Sequence, residues 1–340
     1  MTSIGGPSRG VLKKLINDPF DAVDEMLEGF VGAHGDLVRL VGERVIARIP
    51  PDRAKVGLVI GGGSGHEPAF VGYVGAGLAD AAAVGNIFAA PSPDTCLEAI
   101  RAASTGLGVL LSYGNYAGDI LNFGIAAERA ASEGIDVRTV MVTDDVASAP
   151  RSELEKRRGI AGDVIVFKMA GAMAERGATL DDVERVARSA NVATRTMGVA
   201  LAPYKVPGAG RLSFELGDDE MEIGLGLHGE PGMRRGPLLS ADDTAEILVD
   251  TILADLDDRS GHDIGLLVDG LGGTAQLDLY ILYRAARRAL ERAGNIVSRS
   301  MVGDYITSLE MAGASVTVTI LDDELRSLLD APAVTARFRR

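Results

Sequence analysis

Tryptophan is absent, and aromatic residues make up only 4% of the chain. A surface that binds bases or sugar rings by stacking them on aromatic faces is therefore poorly supplied. Cysteine is scarce too: Cys96 stands alone, which excludes an internal disulfide framework and any multi-cysteine metal site. Positive charge is short, with 34 Lys and Arg against 48 Asp and Glu, a formal balance of −14. So acidic a body repels phosphate backbones and anionic lipid, so neither nucleic acid nor a membrane is an expected partner. No run reaches the ~18 apolar residues that suggest a membrane span. Residues 1–20 carry charges and two prolines without a continuous apolar stretch, so no leader is expected and the chain reads as cytoplasmic.

What is present is ordinary globular material: 46% hydrophobic and 24% charged residues, enough in 340 for about two domains. Glycine, at 43, is the outlier, and without collagen-like or low-complexity repeats it points to tight turns and close backbone approaches. Short apolar runs alternate with helical patterns. Val56–Ile60 reads as a strand stopping at Gly61, and 108–112 and 137–142 repeat the theme, with helical stretches at 94–104 and 119–134 between them. Such alternation predicts an α/β fold: a largely parallel sheet with helices on both faces, and ligands beyond the carboxyl ends of its strands. A boundary is expected near Asn191, dividing the chain into domains 1–190 and 191–340. The second is read as α/β or α+β, with short strands over 196–232, a strand over Glu222–Leu227, helices at 242–256 and 277–292, and strands at 264–268 and 314–321. Residues 331–340 read as a tail without a clear task.

The most informative stretch is VIGGGSGHEP, 59–68. The dinucleotide pattern needs a third glycine where His66 stands, and the P-loop pattern needs Gly-Lys where His66-Glu67 stands, so both fail. What remains suits a small-molecule loop and a structural glycine turn equally well. His66 favours the loop, since an imidazole there is placed for hydrogen bonding or acid–base work. His228 shares its context, with Gly, Glu and Pro following a glycine-containing apolar strand. His34 and His262 read as surface residues, and no histidine pair has metal-ligand spacing, so no metal is expected. Asp119 begins a helical pattern after a strand, where the helix dipole alone would favour a carboxylate. Asp144-Asp145 reads as a cap, 218–220 and 255–258 as solvated turns, and DGLGGT at 269–274 as a sharp turn into a helix.

Taken together, KKLINDP (13–19), GGGSGHEP (61–68), NYAGD (115–119), TDDVA (143–147), RRGIAG (157–162), DDEMEIGLGLHGEPG (218–232), DGLGGT and GDYITSLEMAG (303–313) resemble the ketone-binding K subunit of dihydroxyacetone kinase. The resemblance implies a cytoplasmic homodimer acting as a phosphotransferase with an alcohol acceptor. His228 would hold a short-chain ketose covalently as a hemiaminal. His66 and Asp119 would work on its hydroxyls, and the backbone of Gly63, Ser64 and Gly65 would hold the rest. No cofactor is expected in this chain, since ADP or ATP with magnesium belongs to a separate L subunit. One departure stands out: Gly114 occupies a position where family members commonly carry lysine. The expected consequence is opened space, partly filled by Tyr113, and preference for a larger ketose such as erythrulose. The alternative from another class is a ketose sensor acting on a transcription regulator.

Overall fold

The computed structural model describes residues 13–340, so most of the stretch read as lacking a leader lies outside it. Along the chain run α1 (Ala22–His34), β1 (Val38–Val41), β2 (Val45–Arg48), β3 (Gly57–Ser64), β4 (Gly75–Ala76), β5 (Ala81–Ile87), α2 (Pro93–Ala103), β6 (Val109–Gly114), α3 (Ala117–Ser132), β7 (Val137–Val142), α4 (Gly162–Glu175) and α5 (Leu180–Ala193). Then follow β8 (Thr194–Ala202), β9 (Glu220–Ile223), β10 (Arg234–Pro237), α6 (Ala241–Ala254), β11 (Asp263–Gly270), α7 (Gln276–Arg292), β12 (Ile296–Gly303), β13 (Ala312–Ile320), α8 (Asp323–Leu329) and β14 (Val334–Thr335).

Among the described residues, the first sheet has the order β1-β2-β5-β3-β6-β7, with β5, β3, β6 and β7 parallel and a β1–β2 hairpin edge running against β5. Strand alternation sends side chains to two separate cores. Leu58, Ile60 and Leu110 pack with α4 and α5 residues, while Val59, Val109 and Leu111 pack with α2 and α3. Both faces are thus covered by helices. The second sheet, β10-β9-β8-β13-β11-β12, is antiparallel except for β11–β12. Helices begin where local chemistry allows: the Ser92, Thr179, Ser240 and Asp322 side chains each accept a first-turn backbone N–H.

Three expectations change. Strand β3 does not stop at Gly61 but continues through Ser64, in register with β5. Its glycines answer crowding: a Cβ on Gly62 would stand 2.5 Å from the Phe70 ring, and one on Gly63 2.7 Å from the Ala89 nitrogen. Conversely, β9 ends at Ile223, because Gly224 adopts φ +82°, and the strand expected over Glu222–Leu227 becomes a loop beyond it. Nor is the C-terminus idle. Strand β14 pairs with β4, and the buried Thr335 donates its hydroxyl to the Gly72 carbonyl at 2.7 Å, fastening the chain end across the first half.

Candidate active site

Strand β3 delivers Gly65 and His66 just past its carboxyl end, and Gly65 takes φ +96° to turn the chain. His66 is 4% exposed and donates from Nδ1 to the Thr307 carbonyl at 2.6 Å. That bond leaves Nε2 as its free ring nitrogen, and Nε2 lies 3.0 Å from Nε2 of His228. Two bare nitrogens cannot approach so closely, so one proton lies between the rings. On the other edge of His228, Nδ1 faces the Glu230 carboxylate at 3.3 Å, and the same carboxyl accepts the His228 backbone N–H at 2.9 Å. The fold therefore brings together two histidines 162 positions apart in sequence.

Burial pushes His66 down to about 3, helped by the neighbouring imidazole of His228, so it stands neutral in the site. Burial pulls Glu230 up, but its hydrogen bond and attraction to His228, together with Arg158, outweigh this and hold it at about 2. Asp119, in the first turn of α3, goes the other way: burial pushes it up to about 7 against the pull of His228. Its Oδ1 is buried with no hydrogen-bond partner among the described residues. The site thus holds a fixed anion, a neutral imidazole and a carboxyl poised near neutrality.

A family model described as the Dak1 domain matches residues 28–337. The chain belongs to the Dak1 family. It is 44% identical over 331 residues to the PTS-dependent dihydroxyacetone kinase 2, dihydroxyacetone-binding subunit DhaK, of Listeria innocua, covering 96% of this chain and 99% of that one. It is equally 44% identical over 330 residues to the L-erythrulose 1-kinase of Mycolicibacterium smegmatis, covering 96% of this chain but only 58% of that protein. The solved dihydroxyacetone kinase operon co-activator Dha-DhaQ superposes with a TM-score of 0.87 at 35% identity, over 92% of this chain and 97% of that one. The solved dihydroxyacetone kinase of C. freundii gives a TM-score of 0.87 at 33% identity, over 96% of this chain and 60% of that one.

Of the other residues singled out in the sequence, Ser64 spends its hydroxyl on the Gly85 carbonyl at 2.9 Å, and Gly65 donates its N–H to Glu67 at 2.9 Å. Gly63 lies within the sheet, paired with Gly85. The glycine stretch is therefore a strand end and not a phosphate cradle. Gly114 does not open space as expected. A Cβ there would already stand 3.1 Å from the Tyr116 ring and 3.3 Å from Asp163. Tyr113 fills nothing on that side; it stacks on Phe123 with centroids 4.5 Å apart, among α2 and α3 residues on the opposite sheet face. His262 bonds the Asp258 carbonyl, and His34 packs on Phe30, both away from the pair.

Sequence reasoning missed the residues that hold the pair. Phe88, at φ +55°, sits 4.8 Å from the His66 ring and 5.3 Å from His228, and Tyr116 meets His228 edge-on at 4.9 Å. Tyr204 donates to the His228 carbonyl at 2.8 Å. In a chain with only 8 Phe and 7 Tyr, this gathering marks the site, yet no local pattern announces it. The segment between β12 and β13 does most of the joining. Thr307 anchors His66, the Leu309 N–H donates to the Gly65 carbonyl at 2.7 Å, and Ser308 donates to the Leu227 carbonyl at 2.6 Å. One loop so fixes both histidine loops. The DGLGGT turn braces it from behind, since the buried Asp269 accepts from the Tyr305 and Ile306 N–H groups.

Proposed function

We propose that this chain is the ketose-binding subunit of a dihydroxyacetone-type kinase, which captures a short-chain ketose on His228 and presents its hydroxyl to a nucleotide-carrying L-type partner. The observation that carries the reading is the His66–His228 pair, its Nε2 atoms 3.0 Å apart, with Glu230 on the far edge of His228. Capture forms one bond, from His228 Nε2 to the carbonyl carbon. For Nε2 to offer its lone pair, its proton passes first to Nε2 of His66; the carbonyl π pair then moves onto oxygen, which takes that proton from His66 and becomes a hydroxyl. The positive charge that develops on the His228 ring as the bond forms lies against the Glu230 carboxylate. Glycerol, lacking a carbonyl, has no such route. Asp119, poised near neutrality, would then accept the proton of the hydroxyl being phosphorylated, help worth about 10²–10⁴-fold. Magnesium and ADP or ATP are assigned to the partner, and a homodimer is expected from the family.

The test is carbon NMR of carbonyl-labelled dihydroxyacetone and erythrulose with wild type and His228→Ala. A signal that moves to the tetrahedral range in wild type alone supports capture on His228. No shift with either ketose rejects it. Two observations keep second readings alive. The likeness to L-erythrulose 1-kinase equals that to the dihydroxyacetone-binding subunit, which supports a four-carbon substrate. The likeness to a co-activator supports a ketose sensor, and phosphorylation with an L-type partner that is lost in Asp119→Ala while capture persists would exclude it.

A further inference from the structure

The segments 143–147 and 157–162 carry no part of the capture step, yet they fold onto one another and end against the site. Asp144 is fully buried and accepts from the Ile160 and Gly162 N–H groups at 2.8 and 2.7 Å, which brings the start of α4 beside the end of β7. Asp145, 2% exposed, takes Arg158 Nε and Nη2 at 2.9 and 2.8 Å. The Arg158 backbone is pinned as well, its N–H to Ser148 Oγ at 3.0 Å and its carbonyl to the Asp145 N–H at 3.1 Å. With Nε and Nη2 so engaged, the remaining nitrogen, Nη1, faces Glu230 Oε2 at 3.7 Å. Glu230 in turn holds both the backbone N–H and the Nδ1 edge of His228.

The loop sequence agrees with this placement. A Cβ on Gly226 would collide with Glu230 and Arg158 together, so the glycine makes room for their approach. A charge fixed in the first half of the chain thereby reaches a carboxylate on a loop of the second. An ordinary surface ion pair would be mobile and weak. Arg158 is 15% exposed at the side chain and clamped at three other points, so its orientation is set before any ligand arrives.

We propose that Arg158 is a positioning residue for His228: it fixes the Glu230 carboxylate so that the imidazole stays bonded through Nδ1 and keeps Nε2 aimed at the incoming carbonyl. The ketose part of the claim rests on the reading of His228 given above. The variants are Arg158→Gln, Arg158→Lys, Glu230→Gln and the double variant Arg158→Gln/Glu230→Gln. Capture is read as the bound fraction of whichever labelled ketose the wild type takes up, and thermal melting checks the fold. Arg158→Gln is expected to weaken capture about fivefold, the upper end for an ion pair of this spacing with one partner partly exposed. Arg158→Lys, which keeps the charge but has one ammonium to share between Asp145 and Glu230, restores only part of it. In the Glu230→Gln background the same change costs less than about twofold, because both act through one carboxylate.

Capture by Arg158→Gln equal to wild type, or an equal loss with and without Glu230, overturns the proposal. Should Arg158→Gln not fold, Arg158→Met alone and combined with Glu230→Gln completes the same comparison. A ligand-free crystal structure of the folded Arg158 variant separates failure of this claim from failure of the capture reading. If wild type takes up no ketose but the Glu230–His228 contact is lost with Arg158 replaced, the positioning role stands and the capture reading falls. If the contact stays in place, Arg158 is not its support.

Discussion

Asp119→Asn removes the charge from a buried carboxyl while keeping its shape, and its effect on stability has a defined dependence on pH. Burial raises the carboxyl from 3.8 to about 7. Below pH 3.8 the folded and unfolded chains both hold the proton, and the group's contribution is complete. Above it the unfolded chain gives the proton up while the folded chain keeps it, so stability falls as the pH climbs through 7. At about 1.36 kcal/mol per pH unit, the loss between pH 5 and pH 8 comes to about 2–3 kcal/mol. With an unfolding entropy of about 2.1 cal/mol/K per residue, a chain of 340 residues converts this into about 4 °C of Tm. The assay is thermal unfolding of wild type and Asp119→Asn at both pH values. Asn at 119 titrates nowhere in this range, so the other groups largely cancel. The margin of the variant over wild type should widen by about 4 °C from pH 5 to pH 8. A margin that stays constant, or narrows, refutes the raised value and with it the assignment of Asp119 as a base working near neutrality.

Thr335→Val keeps the volume but strips the hydroxyl that donates to the Gly72 carbonyl and accepts the Phe338 N–H at 2.9 Å, leaving buried groups unpaired. That costs about 1–3 kcal/mol, seen as a Tm lower by about 1–4 °C, and an unchanged Tm would show that the C-terminal strap is not fastened there. Gly114→Lys presses its stem on the Tyr116 ring and the Asp163 carboxyl, 3.1 and 3.3 Å from where its Cβ would stand. Competition between labelled ketoses should shift about tenfold from erythrulose toward dihydroxyacetone, the lower range for a pocket changed by about one carbon, and an unchanged ratio would free Gly114 of any part in substrate size.

Much of the fold was open to sequence reading because its signals are local. The apolar runs of β6 and β11 sit in buried strands, that of β7 forms the half-buried edge of its sheet, and the α2, α3 and α7 patterns fold as helices within a few residues of their expected ends. His66 and His228 stood out because each follows a glycine-containing apolar run; for His66 that run is β3, whereas the run before His228 leaves the sheet at Gly224. What escaped depends on contacts distant along the chain. The glycines of β3 look like a loop until Phe70 and Phe88 are seen filling the room of their side chains. Helix α4 lacks an amphipathic stripe because it is buried almost all round, between the first sheet and α8. Thr307, Ser308 and Arg158 are ordinary polar residues in sequence, and their weight comes only from standing opposite His66, Leu227 and Glu230.

The two carboxyls that feel the charge of His228, Glu230 and Asp119, show why the site needs both halves of the chain. Both are substantially buried, and burial alone would push both upward. Glu230 is nevertheless held near 2, because it gains His228 and Arg158, whereas Asp119, with an unpaired Oδ1, rises to about 7. Environments that drive like groups apart also divide their work. Glu230 can stay ionised throughout a cycle and balance charge on His228, and Asp119 can take and return a proton. On the proposed capture, exchanging those surroundings would leave His228 without its counter-ion and Asp119 too weak a base to deprotonate a hydroxyl. The division depends on where each carboxyl is anchored: Asp119 on the first turn of α3, facing inward, and Glu230 on a loop drawn against a guanidinium from the opposite half. Neither half, folded alone, would supply both conditions to His228.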